Sequence, residues 1–365
     1  MNQQKWLNLD WGKAGVSSRQ IPERYKTMEK RQEAIQNSIR EKARELLSSK
    51  KVDLVIGFGE GTLPLRATPI FIRTPEEADR LIWNSFCESN LATYLKFALL
   101  TYQLRHHPWT NLRYKLSQFK VGLVVKGCDA RSVIALSREK RFKLDELILI
   151  GVPCQRMVDR RKVEKAFKGE ILRVNEQGDE ITVEGEDFKK VLKRDDFLYP
   201  SCQVCIHRTP AKADVLVGNP AEESPLVEVH PDVKDFEKMS PEERWRYFEK
   251  EAGRCIRCYA CREACPMCYC TECFVDSSNP KWIDKGLSPS DVDFYHIVRA
   301  YHQSGRCSGC GACERACPME IKLTYLTQKL NQDVKELFGF ETGVDPDAPP
   351  PLSTYDIEDR QEFIK

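Results

Sequence analysis

The sequence predicts an α/β domain, a parallel sheet covered by helices as an α/β sandwich, followed by a smaller cysteine-rich domain. Three short apolar runs are typical of buried parallel strands: residues 52–56, 121–125 and 147–150. Helical patterns lie between them, which is the alternation of an α/β domain: residues 75–86, 91–104 and 129–140. Eleven of the sixteen cysteines fall between Cys255 and Cys317. That concentration defines the second domain.

Composition excludes several classes of function. The chain has 365 residues, 41% of them hydrophobic, which is enough to fill real cores. Its formal net charge of +2 leaves no global field to gather nucleic acid or an anionic membrane. The longest apolar stretch, residues 147–152, is too short to span a bilayer, and residues 1–10 show no signal-peptide pattern. We therefore expect a cytoplasmic protein without a membrane span and without a nucleic-acid partner.

Other local sequence patterns divide the chain into four parts. Residues 27–50 form an amphipathic helix pattern, residues 170–184 read as a β-hairpin, and prolines with acidic residues mark a linker at 218–241. Residues 341–359 are too poor in apolar side chains to build a core, so we expect a disordered or partner-docked tail. The predicted parts are a helical leader at 1–50, the α/β domain at 51–235, the cysteine-rich domain at 236–335 with an insert at 267–306, and a Pro-rich acidic tail at 336–365.

The cysteine-rich domain contains an internal repeat with the spacing C-x2-C-x2-C-x3-C-P. The first run is Cys255, Cys258, Cys261 and Cys265, and the second is Cys307, Cys310, Cys313 and Cys317. In such runs three thiolates hold one [4Fe-4S] cluster and the fourth reaches the neighbouring cluster. The spacing predicts one cluster on Cys255, Cys258, Cys261 and Cys317, and another on Cys307, Cys310, Cys313 and Cys265. The alternative is structural zinc, which favours two separated cysteine pairs per ion.

This repeat resembles the bacterial two-cluster ferredoxin, which implies a ferredoxin-like α+β dicluster domain. The chain departs from that pattern by the long insert between the runs, which carries Cys268, Cys270 and Cys273. These three either hold a further metal, for which no fourth ligand is evident, or pack as buried thiols beside the clusters. The sequence leaves both readings open.

Four further cysteines lie in the α/β domain. Cys128 and Cys154 each follow an apolar run, and Cys202 and Cys205 form a C-x2-C pair after the hairpin. Ligands of open α/β sheets bind at the carboxyl ends of the strands, where Cys128 and Cys154 can converge and the folded-back pair can complete four ligands. Lone cysteines after strands are, however, usually buried thiols. We expect Cys87 to be a thiol of the core.

The surroundings of these four cysteines carry a family resemblance. Lys-Gly-Cys-Asp at 126–129, Gly-Val-Pro-Cys-Gln at 151–155, and Tyr-Pro-Ser-Cys-Gln-Val-Cys at 199–205 followed by Ala-Asp-Val-Leu-Val-Gly at 213–218 resemble the beta subunits of coenzyme F420-reducing hydrogenases and formate dehydrogenases. The resemblance covers about residues 50–220. It implies a third [4Fe-4S] cluster on Cys128, Cys154, Cys202 and Cys205, beside an FAD that exchanges hydride with the deazaflavin coenzyme.

Two departures from that family bear on the flavin. The ferredoxin module follows the flavin domain here, whereas in the family it usually precedes it, and the family's Gly-Gly helix start is missing. Candidate flavin contacts remain: Lys126 and Arg131 flank Cys128 at a predicted helix N-terminus, which attracts phosphate. His207 and Arg208 follow Cys205 and are candidates for a ring carbonyl or a pyrophosphate. For all four, a solvated surface charge is the alternative.

These patterns predict an oxidoreductase subunit that transfers electrons. A flavin converts a two-electron hydride carrier to the single electrons that clusters transfer. No molybdenum, nickel or hydrogen-activating motif is present, so we expect a larger partner to oxidise the substrate: a hydrogenase, formate dehydrogenase or heterodisulfide-reductase-like subunit. One alternative is a flavin-free iron-sulfur adaptor in a heterodisulfide-reductase-like or electron-bifurcating complex, which the missing Gly-Gly motif favours. Another is a zinc-stapled interaction module without a redox role.

Overall fold

The N-terminal helix shares its core with the sheet. The computed structural model describes residues 23–95, 119–221 and 231–353. Its first element, α1, spans Glu23–Ser48, close to the helix predicted over 27–50. Ile35, Ile39 and Ala43 of α1 are buried in the same apolar cluster as the strands. This helix is therefore part of the α/β core.

The main sheet is mostly parallel, which confirms the predicted α/β class. Its five strands are β1 (Leu54–Glu60), β2 (Ala67–Ile72), β3 (Val121–Val125), β4 (Leu147–Gly151) and β8 (Val215–Leu216). They are ordered β2-β1-β3-β4-β8, with β1, β3, β4 and β8 parallel and β2 antiparallel at the edge. The three predicted apolar runs are the three central strands. That helices cover both faces, as in a sandwich, stays a prediction.

Strand register places the next residues along the chain at one edge of this sheet. Val125 pairs with Gly151, and Gly151 pairs with Leu216, so β3, β4 and β8 end side by side. Helix α2 (Gly127–Arg138) follows β3 directly and confirms the helix predicted at 129–140. The β3-α2-β4 unit is a parallel crossover, and ligands of such sheets bind at this carboxyl edge.

The helix predicted over residues 75–86 is wrong. The structure has a 3-10 turn at Pro75–Arg80, followed by irregular backbone. The amide of Trp83 donates to Gln36 Oε1 at 3.0 Å, and the amide of Ser85 donates to Glu176 Oε1 at 3.0 Å. These N–H groups bond to distant side chains, so they do not continue a helix. A further helix is predicted over residues 91–104. Its part after residue 95 lies outside the described residues.

The predicted hairpin is confirmed and gains a third strand. Strands β5 (Ile171–Gln177), β6 (Glu180–Gly185) and β7 (Lys189–Lys193) form a small antiparallel sheet. Ile181 and Val183 of β6 are fully buried in a separate apolar cluster. Two short helices flank this sheet in the chain: α3 (Arg160–Lys165) and α4 (Pro200–Gln203).

The C-terminal part is helical, with no strand assigned in residues 231–353. The predicted α+β character is therefore wrong for this described segment. Arg257, Tyr259, Gly309 and Gly311 all have positive φ, which curls the chain around the cysteines instead of extending it. The helices are α5 (Pro231–Glu237), α6 (Pro241–Ala252), α7 (Ala260–Glu263), α8 (Pro289–His302), α9 (Ala312–Ala316) and α10 (Thr324–Phe338).

The start of the predicted tail packs on the α/β domain. Arg131 of α2 donates from Nε to the carbonyl oxygen of Thr342 at 2.8 Å, and Thr342 is buried. A Cβ on Gly343 would lie 2.1 Å from the carbonyl oxygen of Arg131, so only glycine permits this approach. The expected disordered or partner-docked tail is thus wrong for these residues, because the Arg131 guanidinium and the close approach at Gly343 supply what apolar content does not.

No helix in the described ranges is long and apolar enough to cross a membrane.

Candidate metal centres

The four cysteines of the α/β domain meet at the carboxyl edge of the sheet. Cys128 is the second residue of α2, directly after β3. The amide of Cys154 donates to the carbonyl oxygen of Arg208 at 2.9 Å, which holds the segment after Cys205 against the end of β4. One cavity is lined by Cys128, Cys154, Cys202 and Cys205. The sheet edge and the folded-back C-x2-C pair therefore converge as the sequence predicted.

Gly127 makes this convergence possible. A Cβ at this position would lie 1.9 Å from the carbonyl oxygen of His207, a backbone atom that cannot move independently. The start of α2 and the segment after Cys205 are therefore in direct backbone contact. The Lys-Gly-Cys-Asp motif supplies the small residue that this approach requires.

Cys154 is buried in this cavity, and Cys128, Cys202 and Cys205 are half-buried. Burial raises the pKa of Cys154 to about 12, and the neighbouring thiols of Cys202 and Cys205 add to the rise, whereas Lys126 opposes it. Burial and the carboxylate of Asp129 raise the pKa of Cys128 well above its ordinary value. Such thiols are not exposed nucleophiles, because they ionise only when a strong cationic partner compensates the lost hydration.

In the C-terminal domain, Cys317 lies among the thiols of the first run. Burial raises the pKa of Cys255, and the thiols of Cys261, Cys317 and Cys258 act in the same direction. Cys261 and Cys317 are also buried together in one apolar cluster, against which Cys255 packs. The last cysteine of the second run therefore neighbours the first run.

The reciprocal arrangement holds for Cys265. Burial raises the pKa of Cys313 well above its ordinary value, and the neighbouring thiols that add to this are Cys265, Cys307 and Cys310. The last cysteine of the first run therefore neighbours the second run. Helices α7 and α9 pack against each other and bring the two runs together. The crossed ligand sets themselves stay a prediction.

The two runs also repeat in backbone conformation. Two residues after the first cysteine, an amide donates back to that cysteine's sulfur: Arg257 to Cys255 Sγ at 3.3 Å and Gly309 to Cys307 Sγ at 3.4 Å. Both donors have positive φ. An amide on a sulfur stabilises a thiolate, so the repeat prepares the first cysteine of each run as a ligand.

The second run docks directly on the four-cysteine site. A Cβ on Gly311 would lie 2.3 Å from Ser201 Oγ, and the hydroxyls of Ser308 and Ser132 are 2.9 Å apart and buried. Cys310 lines the same cavity as the four cysteines of the α/β domain. Sequence reasoning missed this contact, because nothing in the local pattern pairs residues so far apart in the chain.

Arg315 forms hydrogen bonds with residues of both domains at this point. Its Nη1 donates to the carbonyl oxygen of Cys310 at 2.6 Å, and its Nη2 donates to the carbonyl oxygen of Glu88 at 2.8 Å. Its guanidinium also lies 5.2 Å from the ring centroid of Tyr199. The planar fork of arginine suits such a bridge between two backbone oxygens.

The cysteines of the insert differ from one another. Cys268 is next to Cys265: its amide donates to the Cys265 carbonyl oxygen at 3.2 Å, and its sulfur accepts from Gln303 Nε2 at 3.4 Å. Cys270 is exposed and Cys273 is half-buried. Cys87 is fully buried in the α/β core, as expected, and burial raises its pKa to about 12.

Three of the four candidate flavin contacts have partners within the chain. Lys126 is 1% exposed and lies 2.9 Å from both Asp129 Oδ2 and the Ser89 carbonyl oxygen. His207 Nε2 is in contact with Glu341 Oε1, and Arg131 Nη2 is 3.6 Å from the same carboxylate. Hydrogen bonding to His207 lowers the pKa of Glu341 to about 2.

The fourth candidate, Arg208, faces the four-cysteine cavity. Its Nε is buried without a hydrogen-bond partner in the described part of the chain. Arg131 and His207 also line a larger neighbouring cavity of about 560 Å³, which Cys205 and Cys307 border. Helix α10 forms its other wall, where Asn331 Oδ1 and Gln332 Oε1 are buried without partners in the described structure.

The donor set fits iron-sulfur clusters. All sixteen cysteines are free thiols, and thiolates are the ligands that such clusters take. Within residues 23–95, 119–221 and 231–353, no three His, Cys, Asp or Glu side chains are grouped to hold a single metal ion.

Family comparison assigns two domains to the chain. Residues 119–230 match the family model for the C-terminal part of the coenzyme F420 hydrogenase/dehydrogenase beta subunit. Residues 251–321 match the 4Fe-4S dicluster domain. The chain therefore carries both domains that the sequence resemblance implied, with the dicluster domain at the C-terminal side.

Two curated relatives are similar over most of their length. The F420-dependent formate dehydrogenase subunit beta of Methanocaldococcus jannaschii is 25% identical over 298 residues, covering 64% of this chain and 76% of that protein. The F420-dependent formate dehydrogenase 1 subunit beta of Methanococcus maripaludis is 25% identical over 369 residues, covering 84% and 90%. The chain is thus similar to oxidoreductase subunits, which confirms the predicted resemblance.

Among solved structures, a chain of the F420-reducing [NiFe] hydrogenase complex from Methanosarcina barkeri is 14% identical to this one. The TM-score is 0.34, and the match covers 48% of this chain and 59% of that chain.

Proposed function

We propose that this chain is the electron-transfer subunit of a multi-subunit oxidoreductase of the F420-dependent formate dehydrogenase type, working in the cytoplasm. One observation carries the proposal: Cys310 of the dicluster domain lines the same cavity as the four cysteines at the sheet edge. A dicluster domain and a third thiol site that share a wall form a continuous route for electrons. The similarity to formate dehydrogenase beta subunits supports the class of enzyme.

In this proposal the chain holds three [4Fe-4S] clusters, each of which supplies one-electron redox chemistry when bound. The ligand sets are Cys255, Cys258, Cys261 and Cys317; Cys307, Cys310, Cys313 and Cys265; and Cys128, Cys154, Cys202 and Cys205. These sets are supported by the thiols that raise the pKa of Cys255, Cys313 and Cys154, because in each case those thiols belong to the same set. Electrons would pass along the order first run, second run, sheet edge.

The chain's own residues pack the two domains closely together at the middle of this route. Arg315 bridges the Cys310 and Glu88 carbonyl oxygens, and Gly311 packs on Ser201. The buried hydroxyls of Ser132 and Ser308 close a further contact between the domains. Tight packing between redox sites lowers the cost of reorganising solvent when an electron moves.

We assign the flavin of this proposal to the cavity of about 560 Å³ bordered by Cys205 and Cys307, whose volume is within the usual size of cofactor sites. Bound there, FAD would convert a hydride into two single electrons. Arg131, His207 and Lys335 line the cavity, and the unpartnered oxygens of Asn331 and Gln332 would accept hydrogen bonds from the cofactor. The other two predicted flavin contacts do not line this cavity: Lys126 pairs with Asp129, and Arg208 lines the neighbouring four-cysteine cavity.

Substrate oxidation would belong to a larger partner subunit, a formate dehydrogenase or hydrogenase. The second candidate function is the flavin-free iron-sulfur adaptor of a heterodisulfide-reductase-like or electron-bifurcating complex. One observation favours it: Glu341 of this chain already contacts His207 and Arg131, the side chains that a flavin phosphate or carbonyl would use.

Metal and flavin analysis of the intact chain, purified without oxygen, tests the proposal. Three clusters require about twelve iron atoms per chain, and the flavin proposal requires about one extractable FAD. About twelve iron atoms without flavin would favour the adaptor. Zinc with iron near zero would refute the redox function and leave the zinc-stapled module.

A further inference from the structure

The insert between the two cysteine runs places a long helix beside both of them. Helix α8 (Pro289–His302) packs against α6 and α10. Its buried face carries Tyr295, His296 and Arg299. The hydroxyl of Tyr295 is 3.2 Å from Cys261 Sγ, so this face is in direct contact with the first run.

Arg299 is a buried cation without a carboxylate partner. It is 6% exposed, and no ion pair to it exists in the part of the chain that the structure describes. Its Nη2 donates to the carbonyl oxygen of Cys261 at 3.0 Å, whereas its Nε is buried without a hydrogen-bond partner among the described residues. Burying an unpaired charge costs several kcal/mol, so a negative group must compensate it.

The surrounding sulfurs are the groups that can do so. Burial acts to lower the pKa of Arg299, but the thiols around it outweigh this and hold the pKa well above its ordinary value: Cys313, Cys268, Cys265 and Cys261. Cys261 belongs to the proposed first cluster, and Cys265 and Cys313 belong to the proposed second. The guanidinium, which contacts the Cys261 backbone, therefore neighbours thiols of both ligand sets.

The polar groups near Arg299 do not supply an unpaired positive charge. Arg306, which follows α8, is neutralised by Glu139, to which it donates from Nη2 at 2.8 Å. Burial lowers the pKa of His296 to about 4, and Arg299 adds to the lowering, so His296 is neutral near pH 7. Gln303 carries no charge. Arg299 is thus the buried fixed charge that this helix brings to the cysteines.

We propose that Arg299 supplies a fixed positive charge between the two clusters of the dicluster domain, which makes both of them easier to reduce. The inference rests on the proposed function, because it needs the two clusters to be present. Each cluster accepts one electron from its neighbour and passes it on, so its negative charge rises by one without any bond forming or breaking. A cation held in a medium of low dielectric constant stabilises that added charge. A guanidinium does not lose its proton in proteins, so the effect is constant with pH.

Replacement of Arg299 in the full-length chain tests this role. We expect Arg299→Gln to lower the ratio of reduced to oxidised cluster at least tenfold at a fixed potential for both dicluster clusters, which corresponds to a fall of about 59 mV per tenfold. Arg299→Lys keeps the charge and should stay within threefold of the wild type. Potentiometric titration followed by electron paramagnetic resonance measures both. The control is Arg246→Gln, which removes an exposed guanidinium of the same domain and should shift nothing.

Iron content separates a tuning role from a packing role. Arg299→Met provides a second neutral variant of similar length. Full iron with unchanged midpoint potentials in either neutral variant would overturn the inference. Iron lost in both neutral variants but retained in Arg299→Lys would support a role for the positive charge. Iron lost in all three variants would overturn the inference and show that the arginine side chain is needed for packing. A wild-type chain without the two dicluster clusters would refute the proposed function instead.

Discussion

Replacing Cys154 by alanine is expected to remove one cluster and leave two, lowering the iron content from about twelve to about eight atoms per chain. Cys154 lies at the end of β4, in the cavity that Cys128, Cys202 and Cys205 also line. Every other cysteine that lines this cavity already belongs to a proposed ligand set, so no spare thiol can replace the lost ligand. The dicluster domain contributes none of these four ligands, so its two clusters should persist.

Cys87→Ala is the matched control for Cys154→Ala. Cys87 is also a fully buried thiol of the α/β domain, and burial raises its pKa to about 12, as it does for Cys154. It lies in the apolar core beside Asn84 and does not line the four-cysteine cavity. We expect Cys87→Ala to keep about twelve iron atoms. If Cys154→Ala also keeps them, Cys154 is an ordinary buried thiol and the third cluster does not exist.

Replacing Cys317 by alanine should remove the cluster of the first run, although Cys317 belongs to the second. The reason is the crossed arrangement: Cys317 lies beside Cys255, Cys258 and Cys261. We therefore expect Cys317→Ala and Cys255→Ala to leave the same residual resonance spectrum. Cys265→Ala should match Cys307→Ala instead, with a different residual spectrum.

Two outcomes decide the crossed assignment. If Cys317→Ala matches Cys307→Ala, each run holds its own cluster with four consecutive cysteines, and the crossed sets are wrong. Cys270→Ala controls for the loss of a cysteine in this domain, because Cys270 belongs to none of the three proposed ligand sets. It should leave all clusters in place.

The parts of the fold that sequence predicts are those set by local patterns. The apolar runs at 121–125 and 147–150 became central strands, because buried parallel strands need nearly continuous apolar side chains. The Gln177-Gly178-Asp179 turn became the β5–β6 hairpin for an equally local reason. The strand ends then placed Cys128 and Cys154 at one edge, so half of that site followed from topology alone.

The parts that sequence missed depend on distant contacts. Residues 75–86 have helical composition, but Gln36 and Glu176 take the amides of Trp83 and Ser85. The docking of Gly311 on Ser201 joins residues more than a hundred positions apart, and a cavity shared by Cys310 follows from it. Propensity and periodicity describe neighbours in the chain, so they carry no signal for such pairs.

The proximity of Cys310 to the four-cysteine cavity also explains why the order of the route could not be predicted. Spacing alone identifies which thiols form a run, but not which run faces the α/β domain. Ser308, Gly311 and Arg315, all within the second run, make the contacts that decide it. In the first run, by contrast, Cys258 is exposed.

Electron paramagnetic resonance of the fully reduced, full-length chain tests the central claim, that three clusters form one route with the second run beside the sheet edge. We expect about three unpaired spins per chain. We also expect that the signal of the sheet-edge cluster is broadened by its neighbour, and that Cys307→Ala, which removes that neighbour, narrows it. A sheet-edge signal that is narrow in the wild type and unchanged in Cys307→Ala would contradict the account.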